Sequence, residues 1–156
     1  ARSRNGDVYF ASMNHHVVLK IDHATSIVTI VAGTRTEAKG DDNILATNSP
    51  LSSPTSVAVI EDSSGKVTDV IICEKGSHRV RKVNVKSGYI NTIVGTGTKG
   101  FAGDGSPAID AQLSEPQYVY YDKSTGDLFI ADSGNTMIRR VFGSSGTITT
   151  VYRVDQ

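Results

Sequence analysis

The sequence predicts an all-β chain, a β-propeller of four-stranded antiparallel blades forming an incomplete ring of about three blades. Two observations predict it. Short β-branched and aromatic runs alternate with Gly/Ser/Lys turn clusters, and no window sustains a helical apolar period. The chain also repeats itself. Asp7-Val8-Tyr9-Phe10-Ala11 returns 62 residues later as Asp69-Val70-Ile71-Ile72-Cys73, and 58 residues after that as Asp127-Leu128-Phe129-Ile130-Ala131. The register also carries Leu19-Lys20-Ile21 onto Arg81-Lys82-Val83, Gly33 onto Gly95, Leu51 onto Leu113 and Pro54 onto Pro116. Repeats of this length mark stacked supersecondary units.

Each unit reads as four strands, a to d. Strand a is Ser56–Ile60 and Tyr118–Tyr121, and strand b is Val8–Ala11, Val70–Cys73 and Leu128–Ala131. Strand c is Val17–Ile21, Val80–Val85 and Met137–Phe142, and strand d is Ile27–Val31, Ile90–Val94 and Ile148–Tyr152. The a–b and c–d joins, such as Ser63-Ser64-Gly65 and Lys86-Ser87-Gly88, are short turns suited to antiparallel neighbours. Val70-Ile71-Ile72-Cys73 is apolar without alternation, as expected where both faces of a blade are covered. The units are blade 1 (6–34, lacking its inner strand, because residues 1–5 are short and polar), blade 2 (55–96) and blade 3 (117–153). Propellers close with typically four to eight blades, so further blades or a second copy must complete the ring.

Composition narrows the function classes. Sixteen basic residues balance sixteen acidic ones, leaving no overall field for nucleic acid or anionic membrane. One cysteine, Cys73, excludes an internal disulfide framework. No apolar run reaches the length of a membrane span, so the chain reads as a soluble protein, and its compartment is not legible.

Residues 88–141 resemble the NHL-repeat family. The resemblance rests on Gly95-Thr96-Gly97-Thr98-Lys99-Gly100-Phe101-Ala102-Gly103-Asp104-Gly105, then Ala108, Ala111, Leu113 and Pro116, then Asp127 to Asn135 and Ile138-Arg139-Arg140-Val141. It implies a propeller, commonly six-bladed. Similar propellers serve as protein-interaction platforms, sensor domains of membrane kinases, RNA-binding surfaces and a peptide-amidating lyase, so the fold alone does not choose a chemistry. The first unit departs from the pattern at Arg35-Thr36-Glu37-Ala38-Lys39 and at Ser12-Met13-Asn14-His15-His16.

In an a-b-c-d meander the b–c and d–a connections leave from one end of the disc. That end carries the long loops Thr34–Pro50 and Thr96–Glu115, and binding residues concentrate on such loops. The candidate ligand- or partner-binding residues there are Asn14, His15, Lys75, His78, Lys99, Phe101, Asp104 and Asn135. Five basic side chains (Arg35, Lys39, Lys75, Arg79, Lys99) face eight acidic ones (Glu37, Asp41, Asp42, Glu74, Asp104, Asp110, Glu115, Asp132), which weighs against a phosphate backbone. Arg79, Arg81, Lys82 and Lys86 lie mainly along strand c of the second blade and are matched by Arg139 and Arg140 in the third, as structural stems with heads in solvent.

Other motifs have plain readings. Gly95-x-Gly97-x-x-Gly100 follows a strand but opens no helix, so its glycines serve a folded loop rather than a dinucleotide. Gly103-Asp104-Gly105 lacks the further carboxylates of a calcium loop. His15, His16, His23 and His78 show no three-ligand spacing for zinc and read as solvated loop residues. Cys73 reads as a small buried hydrophobe, and Asp132 as an acceptor for backbone N–H groups of the turn that follows it. Tyr118, Tyr120 and Tyr121 are placed on the axial channel. The expectation is therefore a non-enzymatic scaffold without cofactor or metal, binding a protein, peptide or small ligand on its long-loop face. Its alternatives are part of a channel-metal lyase or hydrolase, and an RNA-binding domain.

Overall fold

The computed structural model describes residues 1–154. It contains three antiparallel sheets in chain order. Sheet one is β1 (Val8–Ser12), β2 (Val17–Ile21) and β3 (Val28–Ala32). The second adds β4 (Ile44–Leu45) to the four-stranded meander β5 (Pro54–Glu61), β6 (Val67–Glu74), β7 (Arg79–Asn84) and β8 (Tyr89–Val94). The third is β9 (Tyr118–Tyr121), β10 (Leu128–Asp132), β11 (Met137–Val141) and β12 (Ile148–Arg153). These are blades of a propeller arc, and the meander predicted from the repeat is the observed strand order.

Blade 2 shows why its central strand is apolar throughout. Val70 and Ile72 join Tyr9, Val18 and Leu51 in the core between blades 1 and 2. Ile71 and Cys73 join Val119, Leu128, Ile130 and Leu113 in the core between blades 2 and 3. Alternate side chains of a strand point to opposite faces, so both faces need apolar residues once both are covered.

The inner place of blade 1 is not wholly empty. Ala1 and Tyr9 exchange backbone hydrogen bonds, the N-terminal ammonium donating to Tyr9 O at 2.7 Å and Tyr9 N–H to Ala1 O at 2.8 Å, and Arg2 bridges Val8. Two residues stand where blades 2 and 3 have a strand.

The long loops are tied down where the sequence reading left them free at one end. β4 pairs with β8, Ala46 N–H donates to Gly88 O, and Gly33 N–H donates to Ala46 O. The later loop repeats this. Pro107 bridges Thr147, Ala108 N–H donates to Gly146 O, and Gly95 N–H donates to Ala108 O. Leu51 and Leu113, both fully buried, then plug the wedges between blades. Each loop thus extends the outer edge of the blade it precedes and fills the joint behind it. Gly95 has φ +92, and a Cβ there would lie 2.7 Å from the His78 carbonyl oxygen, so this close approach requires glycine.

Candidate functional site

The strand c arginines hold these loops. Arg81 and Arg139 are fully buried, which corrects the expectation of heads in solvent. The Arg81 guanidinium donates to Asp42 Oδ1 (3.0 Å), to Ser49 Oγ (2.9 Å) and to the Asp41 carbonyl, and Nη1 lies 3.4 Å from Glu74 Oε1. Arg139 meets Asp104 Oδ1 at 2.9 Å and Asp132 Oδ2 at 3.5 Å, and donates to the carbonyls of Gln112 and Ala102. Arg79 donates to Glu74 Oε2 (3.1 Å) and to Gly40 O (2.8 Å). A buried guanidinium persists only with such partners. Blade 1 has Leu19 in the equivalent position and no such network.

Asp132 is likewise structural, with partners other than those expected. Its Oδ1 accepts Ser114 N–H at 2.7 Å and its Oδ2 accepts Asn135 Nδ2 at 2.7 Å, so it joins the incoming loop to a side chain of the turn that follows it, not to that turn's backbone N–H groups. Burial pushes its carboxyl up, against the pull of Asn135, Ser114 and Arg139. Cys73 is buried and its thiol is pushed up to about 12 by desolvation.

The histidines are also more engaged than expected. His16 Nδ1 accepts Ser53 N–H at 3.4 Å and His78 Nδ1 accepts Glu115 N–H at 3.1 Å, 62 residues apart at both ends. Both histidines sit at positive φ, closing the b–c turn, and both are partly buried against the next blade's loop. His15, exposed, contacts Ser12 Oγ at 2.9 Å.

Of the eight candidates, the structure brings Lys75, His78 and Lys99 together around Glu115. Lys99 Nζ lies 3.0 Å from Glu115 Oε1 and Lys75 Nζ 3.9 Å from Oε2. Lys99 holds the Glu115 carboxyl below the usual glutamate range. Lys75, Gly76 and His78 from blade 2, Glu115 and Ser53 from the loops, and Met13 from blade 1 line a cleft of about 350 Å³. Asp104 and Asn135 belong to the Arg139 clamp, Asn135 also donating to Gly100 O at 2.7 Å. Phe101 and Asn14 are exposed and do not line the cleft. Glu115, Ser53 and Met13 were missed by sequence reasoning. The repeat offered a signal for two of them, since Ser53 and Glu115 fall at equivalent positions after the buried leucines.

A second concavity follows the hub. Its walls come from Phe10, Thr55, Val57, Tyr118 and Tyr120 among others, and it encloses about 410 Å³. Tyr118 and Tyr120 are exposed on it, while Tyr121 is half-buried against the core between blades 2 and 3. No group of three or more His, Cys, Asp or Glu side chains is arranged to hold a metal among the described residues. No helix among them is long and apolar enough to cross a membrane.

No family model and no curated protein matches this chain. Solved structures do. An auxiliary nutrient binding protein from Bacteroides thetaiotaomicron aligns with TM-score 0.68 and 22% identity over 92% of this chain and 35% of its own. A second Bacteroides thetaiotaomicron protein, of unknown function, gives 0.72 and 21% over 86% of this chain and 32% of its own. A catalytically inactive virginiamycin B lyase from Staphylococcus aureus, solved with quinupristin, gives 0.58 and 17% over the whole of this chain and 40% of its own. The chain spans about a third of the length of the solved proteins it matches, and what it shares with them is the propeller fold.

Proposed function

We propose that this chain is part of an NHL-repeat propeller scaffold whose long-loop face binds a protein, peptide or small ligand. The observation that carries the reading is the cleft between blades, where Lys75, His78 and Glu115 converge over Gly76 with Met13 at its rim. Rigid turns position these groups, because His78 and the Glu115 backbone are bonded to each other and Glu115 is held by two lysines. A concave, mixed polar and apolar pocket on a rigid scaffold suits ligand capture. Two of the structural neighbours are described as auxiliary nutrient binding proteins, which supports a binding role. The repeat from Gly95 to Val141 supports the family reading.

The test is a thermal-shift screen of organic acids, sugars, nucleotides and short peptides against wild type and Lys75→Glu. A ligand that raises the wild-type melting temperature but not that of the variant is the expected result. Lys75 is surface-exposed enough that its replacement costs little stability. Ligands that protect both proteins equally place the site elsewhere.

A further inference from the structure

Taking the Lys75 cleft as the binding site, as proposed above, we infer that its ligand is a carboxylate bearing a short apolar group, with the carboxylate held by Lys75 and His78 and the apolar part laid on Met13. The cleft walls come from one turn used twice. Met13 and Lys75 stand 62 residues apart at equivalent positions of the repeat. Each opens a b–c turn closed by a histidine, His16 N–H donating to Met13 O at 3.2 Å and His78 N–H to Lys75 O at 3.4 Å. The repeat therefore sets an apolar side chain on the blade 1 wall against a cationic one on the blade 2 wall. Blade 3 closes the same turn with Ser133 in this place, Thr136 N–H donating to Ser133 O at 3.1 Å, so the turn itself demands neither side chain.

The charges in the cleft favour an anion. Glu115 brings the carboxylate of the lining, and that carboxylate is already matched, because Lys99 Nζ donates to its Oε1 at 3.0 Å. Lys75 Nζ stands 3.9 Å from Oε2, too far for a hydrogen bond, so its donors and its charge are in excess. His78 adds a directed donor. Its Nδ1 accepts the Glu115 N–H at 3.1 Å, which assigns the proton of the neutral ring to Nε2 and fixes the ring against the incoming loop. Glu37 accepts from the Ser52 and Ser53 hydroxyls and does not line the cleft. An ammonium and an imidazole N–H together match the two oxygens of a carboxylate, and the bond from the ammonium is charge-assisted. A neutral ligand would leave the Lys75 charge unmatched. Met13 is 46% exposed, and its flexible thioether adapts to an irregular apolar group. At about 350 Å³ the cleft is at the small end of ligand sites, which suits a small acid or the last residue of a peptide.

Calorimetric titration with hexanoate, its neutral isostere hexanamide and acetate tests this on wild type, Lys75→Met and Met13→Ser, each variant first checked for an unchanged melting temperature. Wild type should bind hexanoate about tenfold or more tightly than hexanamide, the effect of one hydrogen bond to a charged group. It should also bind hexanoate about tenfold more tightly than acetate, the effect of about two buried methylene groups. Lys75→Met should abolish the preference over the amide and keep that over acetate, and Met13→Ser should do the reverse. A short peptide ending in leucine, with a free or an amidated C-terminus, separates the two sources of the carboxylate; tighter binding of the free-ended peptide than of hexanoate assigns the site to chain ends. Hexanamide binding as tightly as hexanoate, a preference for hexanoate that survives Lys75→Met, or no binding of hexanoate or the free-ended peptide overturns the inference. The cleft reading fails separately. A neutral ligand that protects wild type but not Lys75→Glu keeps binding in the cleft and removes only the carboxylate class, whereas protection by every ligand that survives Lys75→Glu removes both.

Discussion

Replacing Asp132 with asparagine isolates what the buried arginine clamp contributes. The Arg139 side chain is fully buried, and its charge is met by Asp132 Oδ2 at 3.5 Å and Asp104 Oδ1 at 2.9 Å. Asparagine keeps an oxygen for the Ser114 N–H but turns an amide donor toward Asn135 Nδ2 and the guanidinium, which are themselves donors. Breaking a buried pair by removing one partner costs about 3–5 kcal/mol, because the remaining charge is left desolvated. Asp104 and the carbonyls of Gln112 and Ala102 stay in place, which puts Asp132→Asn at the low end, about 3 kcal/mol. Against a total of about 5–15 kcal/mol for an ordinary domain, urea unfolding resolves such a loss easily. The double variant Asp132→Asn with Arg139→Met removes both charges and should recover part of the loss, giving a positive coupling in a double-mutant cycle. A loss under about 1 kcal/mol for the single variant, or strictly additive losses, would refute the view that this pair holds the loop.

Three further expectations follow from the same geometry. Leu113→Ala and Leu51→Ala each empty a fully buried wedge and should cost about 2–5 kcal/mol in urea unfolding; near-neutral effects would mean that the loops do not plug the joints. Lys20, at 2.8 Å, and the His23 N–H hold the Asp7 carboxyl below its ordinary value of 3.8. Its contribution is therefore full at neutral pH and is lost as the pH falls below that value, so the stability gap between wild type and Asp7→Asn should close on acidification; a gap independent of pH would contradict this. Cys73, with its thiol pushed up to about 12, should resist disulfide reagents at neutral pH until the chain is unfolded, and rapid labelling of the native protein would show that the joint between blades 2 and 3 opens.

The blades themselves were legible in the amino-acid order. Short β-branched and aromatic runs, turn residues and a self-similar register can be read directly from the sequence, and a strand that is apolar on both faces, as at Val70 to Cys73, announces neighbours on both sides. The grouping of Lys75 and His78 with Lys99 was partly legible, since the meander sends the b–c and d–a connections to one end. What the sequence could not disclose was which polar groups are consumed by the scaffold. Arg81, Arg139, Asp104 and Asn135 look like surface residues in a linear reading. The two arginines become internal, and Asp104 and Asn135 are drawn into the clamp although Asp104 stays exposed, only because each long loop folds back along the outer edge of the next blade, bringing Asp42 to Arg81 and Asp104 to Arg139 across 39 and 35 positions of chain. The same holds for His78, whose bond to the Glu115 backbone spans 37 positions. Loop path and side-chain pairing at such separation depend on how blades pack, so only the tertiary structure decides which charges remain free to meet a ligand.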